Sequence, residues 1–297
     1  MSDSPGGFEP QELHSILARG CAAAGLDNRG ARLLRGQTNA VVLLEAEHVV
    51  VKVARKGTPL HDVQRTVDFV RWLSARNFPT APLHPLGQPI AVDNHSLTFW
   101  TYLPQPDHPV PAQHLARPLR ALHTLPAPPQ KLPPHDNLAS IRRSLAAITW
   151  LPPTAIRRLS THADRLERDL AHVTWAHPPG VIQGDPQHRN ALHTPTGAVL
   201  CDWDTVAHGQ PEWDAVTVEV HCRRFGHGHA HYQAFADAYG WDITRWDAYP
   251  VLAAIRELRM ITTNARKVRH APGSRSEVQR RIDGLDRDDH RMRWHIL

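Results

Sequence analysis

Residues 181–204, VIQGDPQHRNALHTPTGAVLCDWD, concentrate oxygen-bearing side chains whose types and spacing could do chemistry. Asp185 and Asn190 lie in the polar loop that follows an apolar run, and Asp202 and Asp204 close the segment. Carboxylate and amide oxygens are the ligands that Mg²⁺ prefers when it carries nucleotide phosphates. Phosphoryl transfer needs little beyond positioning, a metal that neutralises charge, and a carboxylate oriented on the attacking hydroxyl. The segment therefore favours phosphoryl-transfer chemistry at a Mg²⁺ site.

A predicted hairpin gathers these side chains into one region. Two short apolar runs flank Thr194–Gly197, whose proline and glycine indicate a turn. Folding the chain about that turn places Asn190 opposite Cys201 and Asp202. Asp185 lies only five residues upstream of Asn190, so an amide oxygen and two or three carboxylates meet there.

The first third of the chain predicts a β-rich region. Helical spacing of apolar residues predicts an N-terminal helix over 11–25 and another over 61–77. Between them, β-branched runs bent around Glu45–His48 predict a β-hairpin over Leu33–Arg55. A further strand is predicted over 96–103.

Prolines mark the change to a mainly helical region. Ten prolines between Pro104 and Pro134 exclude a long uninterrupted helix from much of that stretch, which still holds the short amphipathic segment HLARPLRALHTL. We place the boundary between two lobes at about residue 104. Beyond it, periodicity predicts helices over 136–148, 153–174, 211–224, 228–239, 245–268 and 274–289.

Several segments resemble one known enzyme family. QGDPQHRN, followed by LCDWDTVAHGQPEWD, resembles the HGD-x-x-x-x-N and IDW-[DE] signatures of aminoglycoside phosphotransferases and choline-kinase-like enzymes. LLRGQTNAVVLL resembles their nucleotide-binding hairpin, VVVKVAR the strand with the phosphate-gripping lysine, and LTFWTYLP the interlobe hinge. These matches, with further C-lobe helices, run in the family's order from about residue 33 to 293.

The resemblance implies an α+β, two-lobed, protein-kinase-like fold with the active site in the cleft between the lobes. A β-rich, nucleotide-binding N-lobe would span residues 1–103, with helix 61–77 packed on its sheet. A mainly helical C-lobe with an inserted catalytic β-hairpin would span 104–297. That lobe would hold the catalytic loop, 183–190, and the metal-binding DWD, 202–204.

The resemblance also implies a role for each matching residue. Asp185 would accept or orient the proton of the substrate hydroxyl, while Asn190 and Asp202 would hold Mg²⁺. Asp204, the second acid of the DWD motif, would contact the metal or the substrate. Lys52 would contact the α- and β-phosphates of the donor, ATP or GTP. Further nucleotide contacts are expected from the loop over the phosphates and from the hinge: Thr38, Asn39, Trp100 and Tyr102.

The sequence departs from the family's pattern at two positions. Gln183 replaces the histidine before Gly-Asp; glutamine can also hydrogen-bond to the backbone. Thr66 stands where the family has the glutamate that pairs with the strand lysine. Asp62 lies one helical turn before Thr66 on nearly the same face, so it is our candidate partner for Lys52.

Composition excludes several classes of protein. The chain has 297 residues, 41% of them hydrophobic, with no apolar run long enough for a membrane span and no secretory signal. Its three scattered cysteines form neither a disulfide framework nor a CxxC site, which suggests a cytoplasmic protein. The net charge is +5, yet no Lys/Arg-rich block appears, so we do not expect nucleic-acid binding.

Two other features have structural interpretations. Asp214 follows Pro211 closely and is interpreted as serving the first turn of a helix through the helix dipole. Histidines 221, 227, 229 and 231 lack the HExxH pattern and are interpreted as surface residues rather than zinc ligands. His188 is a candidate for substrate contact because it lies in the loop of Asp185.

The acceptor stays open at this point. Residues 222–297, which supply acceptor-facing helices in this family, hold 14 Arg plus Lys and 9 Asp plus Glu. Because a polycationic acceptor needs an acid-rich site, a neutral or anionic acceptor is at least as plausible as an aminoglycoside. The main hypothesis is a resistance enzyme that phosphorylates a hydroxylated antibiotic of the aminoglycoside, nucleoside, macrolide or other sugar-bearing type. The alternatives are a metabolic kinase for a choline-, homoserine- or sugar-like alcohol, and a catalytically silent nucleotide-binding regulator.

Overall fold

A computed structural model describes residues 8–36 and 39–297. Its strands are β1 (Arg32–Arg35), β2 (Ala40–Leu44), β3 (Val49–Val53), β4 (Ile90–Val92), β5 (His95–Thr101), β6 (Gly180–Ile182), β7 (Ala191–Thr194), β8 (Gly197–Leu200) and β9 (Ala207–Gly209). Its α-helices are α1 (Pro10–Ala24), α2 (Leu60–Ser74), α3 (Ala112–His123), α4 (Asn137–Ala146), α5 (Pro153–Ala171), α6 (Glu212–Arg224), α7 (His229–Tyr239), α8 (Tyr249–Lys267) and α9 (Arg275–Asp286). The chain divides into two compact units.

The first unit extends through His108 and adds Pro128–Lys131 and Leu192–Asp204. Its centre is an antiparallel five-stranded sheet in the order β1-β2-β3-β5-β4. Strand β3 lies in the middle and places Lys52 opposite Val41 on β2 and Thr98 on β5. The side chains of β3 alternate between buried and half-buried, so Lys52 lies on the face opposite to that of its buried valine neighbours.

Helices α1 and α2 complete this unit. The apolar stripe of α1, including Ile16, Leu17 and Cys21, joins one hydrophobic core with the buried side chains of the sheet. Helix α2 packs near β5 and buries its own stripe of Val67, Val70 and Leu73. Apolar residues at helical spacing thus account for both helices.

The second unit comprises Pro109–Ala127, Leu132–Ala191 and Thr205–Leu297. Helix α3 packs on α7, and α8 packs on α4, α5 and α6. Beside these helices, β6 and β9 form a short antiparallel ladder that pairs Val181 with His208. Because β6 ends at Ile182, the ladder sets the point from which the loop of Asp185 begins.

The predicted fold class is confirmed, and the structure adds three strands. Short strands β1, β4 and β9 escaped the sequence because three or four residues carry too little periodicity to be recognised. Helix α3 runs through Pro118, which a helix of this length tolerates at the cost of one internal hydrogen bond. The proposed lobe limits at residues 103 and 104 stay a prediction. Within the described residues, no helix combines the length and apolarity that crossing a membrane requires.

Candidate active site

Four of the predicted site residues meet in the first unit. The Lys52 Nζ donates to Asp202 Oδ1 at 2.7 Å and to Asp204 Oδ2 at 2.8 Å. Asn39 Nδ2 donates to the same Asp204 oxygen at 2.9 Å. Residues 150 and more positions apart in sequence therefore form one charged cluster around Lys52 of the central strand β3.

The charge of Lys52 is balanced by its two carboxylate partners. Its side chain is only 16% exposed, and this burial acts to lower the pKa of Lys52. Asp202 and Asp204 together outweigh burial and raise that pKa above its ordinary value. Lys52 is therefore a fixed positive charge that holds two potential metal ligands.

The predicted pairing of Asp62 with Lys52 requires correction. Asp62 Oδ1 accepts from Arg65 NH2 at 2.6 Å and lies 3.4 Å from His61 Nε2. Arg65 lies three residues later on α2, which places it beside Asp62 on the helix surface. Lys52 instead reaches two carboxylates that are distant in sequence, and helix geometry alone could not identify them.

Trp203 explains how the DWD motif directs its two acids. Trp203 is fully buried and packs edge-on against Phe69 and Phe78, with ring centroids 5.3 and 6.0 Å away. Its Nε1 donates to Thr80 Oγ1 at 2.8 Å. Asp202 adopts a left-handed backbone, φ 56°, which aspartate tolerates better than most residues. The buried ring thus anchors the motif, while both flanking carboxylates stay partly exposed for ligands.

Two more residues predicted to contact the nucleotide, Trp100 and Tyr102, lie in the first unit. Trp100 is on β5, and its Nε1 donates to Thr98 Oγ1 at 2.9 Å. Tyr102 follows β5, and its backbone N–H donates to His48 O at 2.9 Å. Thr38 lies outside the described residues. The nucleotide-binding roles of these residues stay predictions.

Asp185 and Asn190 meet in the loop that follows β6 in the second unit. Asn190 Nδ2 donates to the Asp185 carbonyl oxygen at 2.9 Å and lies 3.4 Å from Asp185 Oδ2. Gln187 Nε2 also donates to Oδ2, at 3.1 Å. Asn190 Oδ1 is buried and has no hydrogen-bond partner among the described residues. An orphaned, buried amide oxygen beside a carboxylate fits an oxygen-seeking metal such as Mg²⁺.

Asp214 holds the backbone of this loop, a role that the sequence did not indicate. Its side chain is fully buried and accepts from the backbone N–H groups of Gln183 and Gly184, both at 2.8 Å. His123 Nε2 lies 3.0 Å from the Asp214 Oδ2. The helix-dipole interpretation of Asp214 is therefore incomplete, because this carboxylate connects α6 to the loop of Asp185. A carboxylate that is fully buried at a helix start would have been the signal, but burial is not visible in sequence.

The contacts of this loop explain the residue types at positions 183 and 184. Gln183, which replaces the family's histidine, accepts the Asp185 backbone N–H on its Oε1 at 2.7 Å. Gly184 has φ +82°, and a Cβ there would lie 2.4 Å from the Thr205 carbonyl oxygen. Only glycine fits both that conformation and that approach. The backbone before Asp185 is thus held on several sides.

Arg256 on α8 is a site residue that sequence reasoning missed. Its guanidinium NH2 forms an ion pair with Asp185 Oδ1. A second α8 residue, Arg259, is half-buried nearby, and burial followed by Arg256 lowers the pKa of Arg259 to about 10. The segment IRELRM could be matched to the family in the sequence, but the sequence did not show which of its residues face Asp185.

His188, the candidate for substrate contact, forms a cluster beside the loop with His227 and His231, whose interpretation as surface residues is corrected because both are half-buried. His188 is buried, and its ring stacks on those of His227 and His231, with centroids 4.2 and 5.2 Å away. Their ring nitrogens lie within 4.8 Å of one another. The rings are tilted by only 12 to 24°, and nearly parallel rings do not direct their lone pairs at one point. Burial is the main reason that the pKa of His188 is lowered to about 3, so this stack packs as neutral imidazoles.

Comparison with known proteins identifies the family. A profile described as the phosphotransferase enzyme family (APH) matches residues 29–253, a range that includes Lys52, Asp185, Asn190 and Asp202. The chain belongs to the phosphotransferase enzyme family. It is a small-molecule phosphotransferase, a kinase whose acceptor is an alcohol group. No curated protein matches this phosphotransferase significantly in sequence.

Solved structures of low sequence identity share the fold. A structure of amicoumacin kinase in complex with AMP-PNP, Ca²⁺ and Ami is 12% identical, with a TM-score of 0.73 over 97% of this chain and 96% of that one. Choline kinase from Streptococcus pneumoniae is 14% identical, with a TM-score of 0.68 over 93% and 99%. Spectinomycin phosphotransferase in complex with ADP and spectinomycin is 13% identical, with a TM-score of 0.63 over 94% and 95%.

Proposed function

We propose that this phosphotransferase transfers the γ-phosphoryl group of ATP or GTP to a hydroxyl of an antibiotic, in the presence of Mg²⁺. The observation that carries the proposal is the loop of Asp185, where Asn190 Nδ2 lies 3.4 Å from the Asp185 carboxylate and Asn190 Oδ1 is buried without a partner among the described residues. Amicoumacin kinase and spectinomycin phosphotransferase share the fold and carry antibiotic names. A metabolic alcohol is the alternative acceptor, as choline is for the pneumococcal choline kinase named above.

The proposed metal ligands all provide oxygen. Asn190 Oδ1 is an orphaned acceptor, and Asp202 and Asp204 supply partly exposed carboxylates. Such a donor set suits Mg²⁺ better than a nitrogen- or thiol-seeking metal. When bound, the metal would neutralise charge on the phosphates of the donor. AMP-PNP with Ca²⁺ in amicoumacin kinase, and ADP in spectinomycin phosphotransferase, support a nucleotide donor with a divalent metal.

The protein's own residues would position the reactants. Asp185 would take the proton of the acceptor hydroxyl on a carboxylate whose backbone is fixed through Gln183, Gly184 and Asp214. Lys52, which keeps its positive charge, would bind the donor's phosphates. Asn39 would hold Asp204 in place through their hydrogen bond.

Replacement of Asp185 by Asn tests this proposal. Wild-type protein and Asp185→Asn are incubated with Mg²⁺, ATP or GTP, and a panel of hydroxylated antibiotics and small alcohols. Mass spectrometry then scores each acceptor for an added phosphoryl group. We expect a product with wild type, and a rate about 10² to 10⁴ times lower in the variant, because general-base catalysis is lost.

Asp169→Asn is the matched control, since Asp169 lies exposed near the end of α5. It should phosphorylate the same acceptor at the wild-type rate. Circular dichroism of Asp185→Asn would establish that the protein is folded. Equal rates in wild type and a folded Asp185→Asn would contradict the assigned role. A product only from small metabolic alcohols would replace the antibiotic proposal with the alternative.

A further inference from the structure

Four arginines form a group that begins at Asp185, which we call the arginine row: Arg256, Arg259, Arg266 and Arg143. The first three lie on α8 at intervals of three and seven residues, which share one helix face, and Arg143 lies on α4, which packs on α8. Arg256 forms an ion pair with Asp185. Burial is the main cause that lowers the pKa of Arg259; the charges of Arg256, Arg266 and Arg143 lower it further, and Asp185 raises it. The row therefore starts at the Asp185 carboxylate and continues along α8, where Arg266 lies about 15 Å further along the helix axis than Arg256.

The row lacks acidic partners. Among the described residues, Asp185 is the only carboxylate within ion-pair distance of any of its members, and it pairs with Arg256 alone. Arg259 NH1 donates to the Thr263 hydroxyl, and Arg143 NH2 donates to the Ser140 hydroxyl at 2.7 Å. Burial and then Arg269 and Arg143 lower the pKa of Arg266. Clustered guanidinium groups without counterions have an unfavourable self-energy that an anion would relieve.

Arg256 supplies a second, independent observation. The residue is 8% exposed, and its Nε is buried without a hydrogen-bond partner among the described residues. A buried donor of this kind costs free energy unless a ligand or another group satisfies it. The unsatisfied donor belongs to the same side chain that holds Asp185, so it lies at the place where an acceptor must bind.

Four other arginines of the second unit are paired with buried glutamates. Arg223 and Arg224 share Glu257, with N–O distances of 2.9 and 2.6 Å. Arg280 and Arg281 share Glu277, at 2.7 and 2.8 Å. These pairs balance part of the positive charge of residues 222–297, whereas Arg256 is the only member of the arginine row with a carboxylate partner among the described residues.

We propose that the arginine row binds an anionic group of the acceptor, so that the substrate is an alcohol that carries a carboxylate, phosphate or sulfate. Guanidinium groups recognise all three through paired charge-assisted hydrogen bonds. The same charges disfavour a polycationic acceptor such as an aminoglycoside. This inference rests on the proposed function, since it concerns the acceptor side of the same catalytic loop.

Equilibrium binding tests the inference without turnover. Isothermal titration calorimetry compares glycerol 3-phosphate, 3-hydroxybutyrate, glycerol and choline as probes on the wild-type protein. The variants are Arg259→Gln, Arg266→Gln and the double substitution. Arg168→Gln is the matched control, because Arg168 is exposed on α5 and its replacement also removes one arginine charge.

We expect the two anionic probes to bind wild type at least about tenfold more tightly than glycerol or choline. The double variant should lose about tenfold in affinity or more, each single variant should lose less, and Arg168→Gln should match wild type. Lys52→Met should also bind the anionic probes like wild type, which separates the row from a site for nucleotide phosphates. Thermal unfolding of each variant verifies that it is folded. If the double variant does not fold, the single variants are compared with wild type instead.

Three outcomes would overturn the inference. They are no preference for the anionic probes, unchanged binding in every folded row variant, and a loss of binding in Lys52→Met in place of the row variants. Because these are binding measurements, they can fail while the Asp185→Asn comparison still shows phosphoryl transfer. The converse result would keep the anion site and refute the assigned catalysis.

Discussion

The arginines at the two faces of helix α8 differ in their carboxylate partners. On one face, Glu257 accepts from Arg224 through both carboxylate oxygens, at 2.7 and 2.6 Å, and both side chains are buried. On the other face, Arg256 and Arg259 belong to a row whose only carboxylate contact, within the part of the chain that the structure describes, is Asp185. Paired arginines of the first kind maintain the structure, whereas we propose that those of the second kind bind a ligand.

Adjacent positions of one helix separate the two environments. Arg256 and Glu257 are consecutive, so their side chains leave α8 about 100° apart. Glu257 faces the end of α6, where Arg223 and Arg224 lie, and Arg256 faces the loop of Asp185. The net charge of a segment therefore sums over arginines with and without acidic partners. The ion pairs must be known before that charge can indicate a ligand.

The largest effect should come from Glu257→Gln. The substitution keeps the shape of the side chain but leaves Arg224 buried without its counter-charge. We expect the free energy of unfolding to fall by about 3–5 kcal/mol, the usual cost of removing one partner of a buried ion pair. Urea unfolding followed by circular dichroism measures it.

Glu45→Gln provides the control, since Glu45 pairs with Arg32 on the surface, where both side chains are more than half exposed. That variant should lose no more than about 1 kcal/mol. If Glu257→Gln were as mild as Glu45→Gln, the distinction between balanced and unbalanced arginines would lose its energetic basis.

A pH-dependent effect of intermediate size should come from His135, which lies within electrostatic reach of the row. Burial, opposed by Asp214 and reinforced by Arg256 and Arg259, lowers the pKa of His135 to about 4. The unfolded chain has the ordinary value near 6.5, so it binds the proton first as pH falls. Stability should therefore decline between pH 6.5 and 4, by at most about 1.4 kcal/mol per pH unit from this group.

His135→Phe should reduce this slope and keep the contact with Trp213, whose ring centroid lies 5.6 Å away. Urea unfolding of both proteins at pH 7, 6 and 5 gives the comparison. Parallel stability profiles for wild type and variant would show that His135 does not sense the charges around it.

The smallest effect should come from Arg259→Gln. Removing one guanidinium relieves repulsion within the row and breaks no ion pair of the described structure. We expect the free energy of unfolding to stay within about 0.5 kcal/mol of wild type, or to rise. A loss near that of Glu257→Gln, measured in the same urea titrations, would mean that Arg259 has a stabilising partner and belongs with the balanced arginines.

Spacing in the sequence was enough to predict that two of the candidate site residues lie together. Asp185 and Asn190 occupy one loop, five residues apart, and hydrogen-bond to each other as neighbours in sequence can. Most helices could also be predicted, because apolar residues recur in them at helical spacing. Short strands such as β4 and β9 lacked that repetition.

Contacts between distant segments could not be predicted in this way. The sequence suggested Asp62 for Lys52 because the two helical positions 62 and 66 share a face, yet Asp202 and Asp204 hold the lysine. Asp214 was assigned to its own helix, whereas its carboxylate binds the backbone of Gly184, thirty residues away. Local periodicity constrains which face a side chain occupies, but not what that face meets.

By itself, the sequence determined the order of most elements and the residue types available for phosphoryl transfer, since these depend on local spacing, and its resemblance to a known family implied the fold class. The tertiary structure decided which charges are paired. Burial and distance set the energy of a charge, and both arise only when α4, α6 and α8 pack together. Which of the fourteen basic residues of the C-terminal region pair with acids, as Arg224 does, and which do not, as Arg259 does not among the described residues, is therefore decided only once the chain is folded.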